Sequence, residues 1–198
     1  MYKIYGFWGG IRLLISLIYT KIYFRKARLI RLPFDIRNRR HIYIGEKFVS
    51  GFGCRIEAFP VNSSNKHCIH IGNNVQINDY VHITACENVK IGNNVLLASK
   101  IFISDLNHGN YSIGDEHDNP NSIPINRKLF SNPVIIEDNV WIGESVSVLG
   151  GVTIGYGSII GCNSVVTKNI PPNSIAVGNP AMAIKKFNFE TKKWEKVL

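Results

Sequence analysis

The chain has 198 residues, of which 45% are hydrophobic, which suits one folded domain with a sizeable core and excludes an intrinsically disordered chain. Its charge is uneven, because residues 1–40 contain ten Lys and Arg but only one acid, Asp35, whereas the rest contains thirteen of each sign. The net charge of +9 therefore belongs to a basic N-terminal arm on an electrically neutral body.

Within the arm, apolar residues from Ile4 to Ile22 follow helical spacing and predict an amphipathic helix over residues 3–26. Arg12 and Lys21 leave only eight uncharged residues between them, whereas a helix that crosses a bilayer needs roughly 20. Two uses remain open for this helix: it caps the first unit of the following fold, or it lies on an anionic membrane surface.

The sequence also predicts where the protein is located and whether it binds nucleic acid or metal. No signal-peptide cleavage site follows the arm, and the sequence predicts a cytoplasmic protein with an optional peripheral contact at the inner membrane. The arm lacks the interleaved polar and aromatic residues of a nucleic-acid surface, so we expect no nucleic acid. The cysteines have neither C-x-x-C pairs nor zinc-ligand spacing, so we expect free thiols and no metal. They are Cys54, Cys68, Cys86 and Cys162.

Residues 41–183 carry a repeat in which aliphatic residues recur every six positions, with a second apolar series two residues later. A period of six is incompatible with the 3.6-residue period of a helix and predicts an all-β solenoid. Three hexads make one triangular coil, so the sequence predicts about five coils, with residues 134–151 and 152–169 as two uninterrupted ones. The recurrent glycines are expected at corners with positive φ. A β-sandwich with fortuitous spacing is the alternative.

Three segments interrupt the repeat. Two residues are inserted around Cys86 and Glu87, and a longer detour separates Cys54 from Ile69. The third interruption, residues 104–133, is rich in Asn, Asp, Gly and Pro. A loop of that length inside a compact repeat is uncommon unless it has a function, so we predict an extended active-site loop.

The repeat ends at the paired prolines Pro171 and Pro172, which cannot continue a hydrogen-bonded ladder. Residues 184–198 then form a basic C-terminal tail, for which we predict a short helix.

Several motifs together resemble one family. They are Asn139-Val-Trp-Ile-Gly143, Thr167-Lys168 before Ile170-Pro-Pro172, and Val177-Gly-Asn-Pro-Ala181. With the hexads, they resemble the left-handed β-helix O-acetyltransferases of the galactoside and maltose type, and more closely those that modify bacterial lipopolysaccharide or capsule. The resemblance covers about residues 40–186. It implies a homotrimer with active sites between subunits, acetyl-CoA as cosubstrate and a saccharide acceptor.

The resemblance places the catalytic histidine of the family at His108, in Ser104-Asp-Leu-Asn-His-Gly109. Transfer of an acetyl group to a hydroxyl needs a base near neutrality, and imidazole has a matching pKa. Many relatives carry a second histidine two positions earlier, where this chain has Leu106. Asp105 is a candidate to orient His108.

On the acceptor side, the resemblance implies a catalytic or substrate-binding role for Asn78, although a stacked turn asparagine is the alternative. Arg55 and Glu57 resemble a stretch typical of the polysaccharide branch and are candidates to bind the acceptor.

On the cofactor side, Trp141 matches an aromatic residue that lines the pantetheine channel, although simple packing is the alternative. Backbone amides near Gly143 and Gly161 are candidates for the cofactor or an oxyanion. Cations near the end of a solenoid suit a nucleotide, although a solvated basic face is equally consistent. These predicted phosphate ligands are Thr167, Lys168, Lys185 and Lys186.

Four functions are compatible with this sequence. The leading one is direct acetyl transfer from acetyl-CoA to a saccharide hydroxyl, assisted by His108. The second uses an amino acceptor, such as serine or a nucleotide-linked amino sugar. The third is a γ-carbonic-anhydrase-like zinc enzyme using His82 and His117, but Ser122 stands where that family has another histidine. The fourth is a non-catalytic scaffold.

Overall fold

The computed structural model describes residues 2–61, 67–111 and 117–197. The chain starts with one α-helix, α1 (Tyr2–Tyr23), which is kinked at Gly6, and then winds into short strands that form a parallel β-helix. Two 3-10 turns, Arg39–His41 and Pro124–Asn126, lie in the first coil and in the long loop.

The strands form the three faces of a triangular prism, with parallel pairing along each face. The first face holds Leu29–Ile30, Val49–Ser50, Gln76–Ile77, Leu96–Leu97, Trp141–Ile142, Ile159–Ile160 and Ser174–Val177. The second face holds Phe34–Arg37, Cys54–Ala58, His82–Ala85, Phe102–Ser104, Ser147–Val148 and Val165–Val166. The third face holds Ile42–Ile44, Ile69–Ile71, Val89–Ile91, Val134–Ile136 and Thr153–Ile154, and a bridge joins Ile154 to Ile170.

The structure confirms the solenoid predicted from the six-residue period, because both apolar series point into the prism. Val134 and Ile136, from one hexad, are fully buried, and so are the corresponding Val146 and Val148. The described residues form six coils rather than about five. The extra coil begins at Leu29, well before the predicted boundary at residue 41, where Pro33 obscures the period.

The recurrent glycines are needed for a reason other than the predicted one. Gly72 does not have a positive φ; a Cβ there would lie 2.6 Å from the carbonyl oxygen of Gly92 in the next coil. The left-handed corner falls two residues later, at Asn74, whose φ is 54°. Asparagine tolerates this conformation, while glycine permits the close approach of the coils.

The predicted C-terminal helix is wrong. Met182–Asn188 pairs antiparallel with Ser174–Val177, and Lys193–Lys196 pairs in turn with Met182–Asn188. The last parallel strand presents unpaired N–H and C=O groups at its outer edge, and the tail satisfies them by adding two strands to the first face.

The long loop of residues 104–133 leaves the second face and returns to the third. Its base is an antiparallel hairpin of Leu106–His108 and Leu129–Ser131. Residues 112–116 of this loop, and residues 62–66 of the earlier detour, lie outside the described residues.

Candidate active site

The hairpin at the base of the long loop forms a groove against the second face of the prism. The groove has a volume of about 540 Å³, and the exposed side chain of His108 lies along it. Its lining combines aromatic, aliphatic and polar groups. They are Glu57, Phe59, His82, Thr84, Phe102, Ser104, Leu106, Asn107, His108 and Leu129.

Contacts within the loop fix the backbone of His108. His108 pairs with Leu129 across the hairpin, and the Tyr111 hydroxyl donates a hydrogen bond to the His108 carbonyl oxygen. Arg127 donates in turn to the Tyr111 hydroxyl, and from Nε to the Ser122 hydroxyl at 2.9 Å. Sequence reasoning missed Tyr111 and Arg127, because nothing in the linear spacing links them to His108.

Asp105, a candidate to orient His108, has other partners. Its side chain is fully buried, and its carboxylate accepts backbone N–H bonds from Cys86, Glu87 and Asn88, each at 2.8 Å. Burial raises the pKa of the Asp105 carboxyl, while the three N–H donors oppose that rise. Asp105 therefore holds the two-residue insert in the preceding coil against the start of the long loop.

A hydrogen-bonded network surrounds Glu57, which is 6% exposed at one end of the groove. Its carboxylate accepts from Arg37 Nη1 at 3.0 Å and from His82 Nε2 at 2.8 Å, and Arg55 Nε lies 3.5 Å away. Arg55 Nη2 lies 3.2 Å from His82 Nδ1. Because a guanidinium can only donate, His82 is assigned as the neutral tautomer with its proton on Nε2.

The register of the second face accounts for this cluster. Arg55, His82 and Phe102 are direct neighbours in successive coils and point outward in one row. The rings of His82 and Phe102 lie 5.3 Å apart. The sequence predicted Arg55 and Glu57 on the acceptor side but considered His82 only as a zinc ligand, because the 27-residue offset between Arg55 and His82 hides their contact from local inspection.

Asn78 lies at the other edge of the second face, at the corner where the chain arrives from the first face. Its side-chain oxygen accepts from Gln76 Nε2 at 3.1 Å, and its backbone carbonyl accepts from the Cys54 thiol at 2.9 Å. It does not contribute to the groove beside His108.

The predicted pantetheine-channel residues lie on or beside the first face. Trp141, 49% exposed, lies between Leu96 and Ile159 of adjacent coils. The N–H of Gly143 donates to Ile160 and that of Gly161 donates to Ala176, each at 2.8 Å. Both amides are therefore used by the solenoid, contrary to a role for these two N–H groups as cofactor donors.

The predicted phosphate ligands lie towards the C-terminal end of the prism. Thr167 and Lys168 are exposed after the last strand of the second face. Lys185 and Lys186 pair with Ile175 and Ser174 at the edge of the first face. Within one chain, Trp141, Lys185 and Lys186 thus belong to the first face, whereas His108 lies over the second face.

Other chemistries find little support in this geometry. Burial raises the pKa of the Cys54 and Cys86 thiols to about 11, which makes them poor nucleophiles at neutral pH. His82 uses both ring nitrogens in the Glu57 network. Among residues 2–61, 67–111 and 117–197, no group of three His, Cys, Asp or Glu side chains is placed to hold a metal ion.

The fold and this site were compared with known proteins. The family model described as bacterial transferase hexapeptide (six repeats) matches residues 133–168. The lipopolysaccharide biosynthesis O-acetyl transferase WbbJ, so named in Escherichia coli K12, is 47% identical over 98% of this chain and 96% of its own. The galactoside O-acetyltransferase of the same organism is 38% identical over 81% of this chain and 74% of its own.

Solved structures share the fold. A variant of AntD, an N-acyltransferase from Bacillus cereus in complex with dTDP-4-amino-4,6-dideoxyglucose and coenzyme A, superposes with a TM-score of 0.68. It is 22% identical and covers 88% of this chain and 90% of its own. A maltose O-acetyltransferase from Clostridium difficile has a TM-score of 0.54 and 31% identity, covering 76% and 72% of the two chains.

The chain belongs to the hexapeptide-repeat acetyltransferases, and its fold is the left-handed parallel β-helix of that family. It is therefore an acyltransferase that uses an acetyl-CoA cosubstrate.

Proposed function

We propose that the enzyme transfers an acetyl group from acetyl-CoA to a saccharide hydroxyl of a bacterial surface polysaccharide, as lipopolysaccharide O-antigen or capsule, with His108 as general base. The observation that carries this proposal is the groove in which His108 faces the second side of the prism. The 47% identity to a protein named for lipopolysaccharide O-acetylation supports the choice of acceptor.

In the proposed reaction, His108 removes the proton of the acceptor hydroxyl while the oxygen attacks the thioester carbonyl. The tetrahedral intermediate collapses, the C–S bond breaks, and the coenzyme A thiolate takes the proton back from His108. The transfer is direct and needs no acetyl-enzyme. A general base of this kind contributes about 10²–10⁴ in rate.

The groove lining supports a sugar as acceptor. Phe102 and Phe59 present partly exposed rings, and such rings pack against the apolar faces of sugar rings. Thr84, Ser104 and Asn107 supply short hydrogen-bonding groups along the same groove. We assign Arg55 and Glu57 to the acceptor end, where their network with His82 fixes a polar wall. Asn78 is proposed at the margin of the acceptor site.

We further propose a homotrimer with active sites between subunits. His108 lies over the second face, whereas Trp141 lies on the first face and the lysines lie towards the C-terminal end. A prism whose first face meets the second face of a neighbour would complete each site. The proposed cofactor ligands are then Trp141, Thr167, Lys168, Lys185 and Lys186. Gly143 and Gly161 would allow adjacent coils to approach each other closely, and their N–H groups would not bind the cofactor.

A complementation experiment tests this shared site. His108→Ala and Trp141→Ala subunits, each inactive alone, are mixed, dissociated and reassembled. Activity returns if one subunit supplies His108 and its neighbour supplies Trp141, since some interfaces then contain both native halves. Mixtures that stay inactive, despite proven exchange of subunits, would contradict a site built between chains.

The acceptor is tested by supplying the de-O-acetylated polysaccharide and, in parallel, a nucleotide-linked amino sugar. We expect an acetyl ester, which mild alkali removes, on the polysaccharide only. An alkali-stable amide on the amino sugar would overturn the O-acetyl proposal. Calorimetry with acetyl-CoA establishes beforehand that the cosubstrate binds, independently of the acceptor.

We place the enzyme in the cytoplasm, where acetyl-CoA is available, in peripheral contact with the inner leaflet of the membrane. The concentration of ten basic residues in the first forty supports this location.

A further inference from the structure

Helix α1 exposes most of its apolar residues and turns the hydroxyl groups of Ser16 and Thr20 towards the protein. Trp8, Leu14 and Ile18 are 74%, 58% and 53% exposed, whereas Ser16 and Thr20 are buried. After the kink at Gly6, the exposed apolar residues form one continuous stripe. They are Phe7, Trp8, Ile11, Leu14, Ile15, Ile18 and Ile22.

The attachment of the helix explains this orientation. Thr20 Oγ1 accepts the N–H of Ile30 at 2.7 Å, and Ser16 Oγ accepts the N–H of Leu32 at 3.2 Å. Ile30 belongs to the first strand of the solenoid, whose open edge faces along the prism axis. The two hydroxyls therefore satisfy an edge that has no preceding coil. At about 100° per residue, Ile18 lies on the side of the helix opposite Ser16 and Thr20.

The expectation of a cap and that of a membrane-surface helix are thus compatible. The helix covers the first coil with the hydroxyl groups of Ser16 and Thr20 and with Tyr19, which packs against the core, and not with the apolar stripe. Its apolar stripe remains available to a partner. Exposed apolar surface of this extent in a soluble domain marks an interaction site.

Charge identifies the partner. Arg12 and Lys21 lie on either side of the stripe, and Arg25 and Arg28 follow at the end of the helix. No Asp or Glu precedes Asp35 in the sequence. An apolar stripe with cations on both borders matches the interface of an anionic bilayer, where the cations meet headgroups and the apolar side chains meet acyl chains.

We infer that α1 lies in the surface of an anionic membrane with this stripe inserted. The inference deepens the membrane location within the proposed function and does not depend on the acetyl-transfer chemistry. Among the described residues, no helix has the length and hydropathy needed to cross a bilayer. The competing occupant is α1 of a second copy, but that pairing would bring Arg12 and Lys21 near their like-charged equivalents.

The test is flotation of the full chain with vesicles. Vesicles of phosphatidylglycerol with phosphatidylcholine are compared with vesicles of phosphatidylcholine alone, at low and high salt. We expect binding to the anionic vesicles, weakened at least about tenfold by salt, because exposed charges are screened. Equal binding to both compositions, or none to either, would overturn the inference.

Paired variants locate the contact. Ile15→Glu with Ile18→Glu should reduce anionic vesicle binding at least about tenfold, because charged residues on the inserted side oppose insertion. The control is Ile125→Glu, at a residue that is 77% exposed in the long loop, and it should bind as the native protein does. Normal vesicle binding by the double variant would show that the stripe does not contact lipid. If the native chain does not bind vesicles and the double variant loses self-association, α1 contacts protein rather than lipid.

Two further measurements separate this inference from the enzymatic one. Brominated acyl chains should quench part of the tryptophan fluorescence of the native chain, from Trp8. They should not quench the fluorescence of Trp8→Phe, which comes from Trp141 and Trp194. Calorimetric binding of acetyl-CoA should be unchanged in the Ile15→Glu, Ile18→Glu variant. Loss of cosubstrate binding with retained flotation would contradict the proposed enzyme while leaving the membrane contact standing.

Discussion

The stacked coils and the long loop that carries His108 are stabilised in different ways. In the coils, each corner repeats the hydrogen bond of the one before. The side-chain oxygen Oδ1 of Asn93 accepts the backbone N–H of Asn73, and the Asp138 carboxylate accepts the backbone N–H of Asn93. Where the structure describes the loop, in residues 104–111 and 117–133, it shows no such repetition and depends on single contacts, such as Arg127 with Tyr111. Each corner contact of the coils is one of a repeated series, whereas the loop around His108 relies on contacts that occur once.

The largest effect is expected at His108, the proposed general base. His108→Ala should lower kcat by about 100-fold or more, because the hydroxyl loses its base, and should leave stability nearly unchanged, because the side chain is exposed. Steady-state kinetics and thermal unfolding measure the two quantities. Retention of more than about a hundredth of the native rate would exclude general-base catalysis by His108.

The next effect tests the junction between coils and loop. Asp105→Ala should lower the free energy of unfolding by about 3–5 kcal/mol, since three N–H groups lose a buried acceptor. Asp79→Ala is the matched control, because its exposed carboxylate accepts one N–H, from Phe52, and should cost about 1 kcal/mol. Similar losses in the two denaturant titrations would contradict the role assigned to Asp105.

A glycine substitution tests the close stacking of the coils. Gly72→Ala should lower the free energy of unfolding by about 1–3 kcal/mol, because its Cβ meets the Gly92 carbonyl at 2.6 Å. Gly10→Ala in α1 has open space around its Cβ and should stabilise slightly, by up to about 1 kcal/mol. Equal unfolding midpoints for both variants would disprove the packing argument.

The smallest expected effect concerns positioning within the loop. Tyr111→Phe and Arg127→Lys should each lower kcat by about 10-fold, because the His108 backbone loses support, with the KM for acetyl-CoA unchanged. The double variant should be no worse than the poorer single one, since both act through the same contact. Additive losses, or a raised KM in place of a lowered kcat, would show that the two residues do not act through His108.

The sequence predicted most of the scaffold because a hexad is a local pattern. Val134 and Ile136 are buried for the same reason as their counterparts six and twelve residues on, so periodicity alone locates the prism interior. The first coil was not predicted, since Pro33 and the basic residues around it break the six-residue period. The C-terminal helix was wrong because the open edge of Ser174–Val177, not local propensity, determines the conformation of Met182–Asn188.

The site was less accessible to sequence reasoning. The loop and the resemblance predicted a catalytic role for His108, which stays a prediction, and the structure shows His108 and Glu57 lining the same groove. The partners of Asp105 lie 17 to 19 residues away, and nothing local distinguishes it from a residue that orients His108. The sequence singled out His82 only for the zinc alternative, and its place beside Arg55 follows from the stacking of the coils.

The hydroxyl contacts from α1 to the first coil also determine how far the groove lies from a membrane that binds α1. With α1 flat on a membrane, the hydrogen bonds from Ile30 and Leu32 direct the prism axis away from the bilayer. The groove residues Glu57, His82 and Phe102 then stand on the second, third and fourth coils, roughly 5 to 15 Å above the first at about 4.8 Å per coil. The solenoid would act as a ruler, selecting which sugar of a membrane-anchored glycan reaches His108.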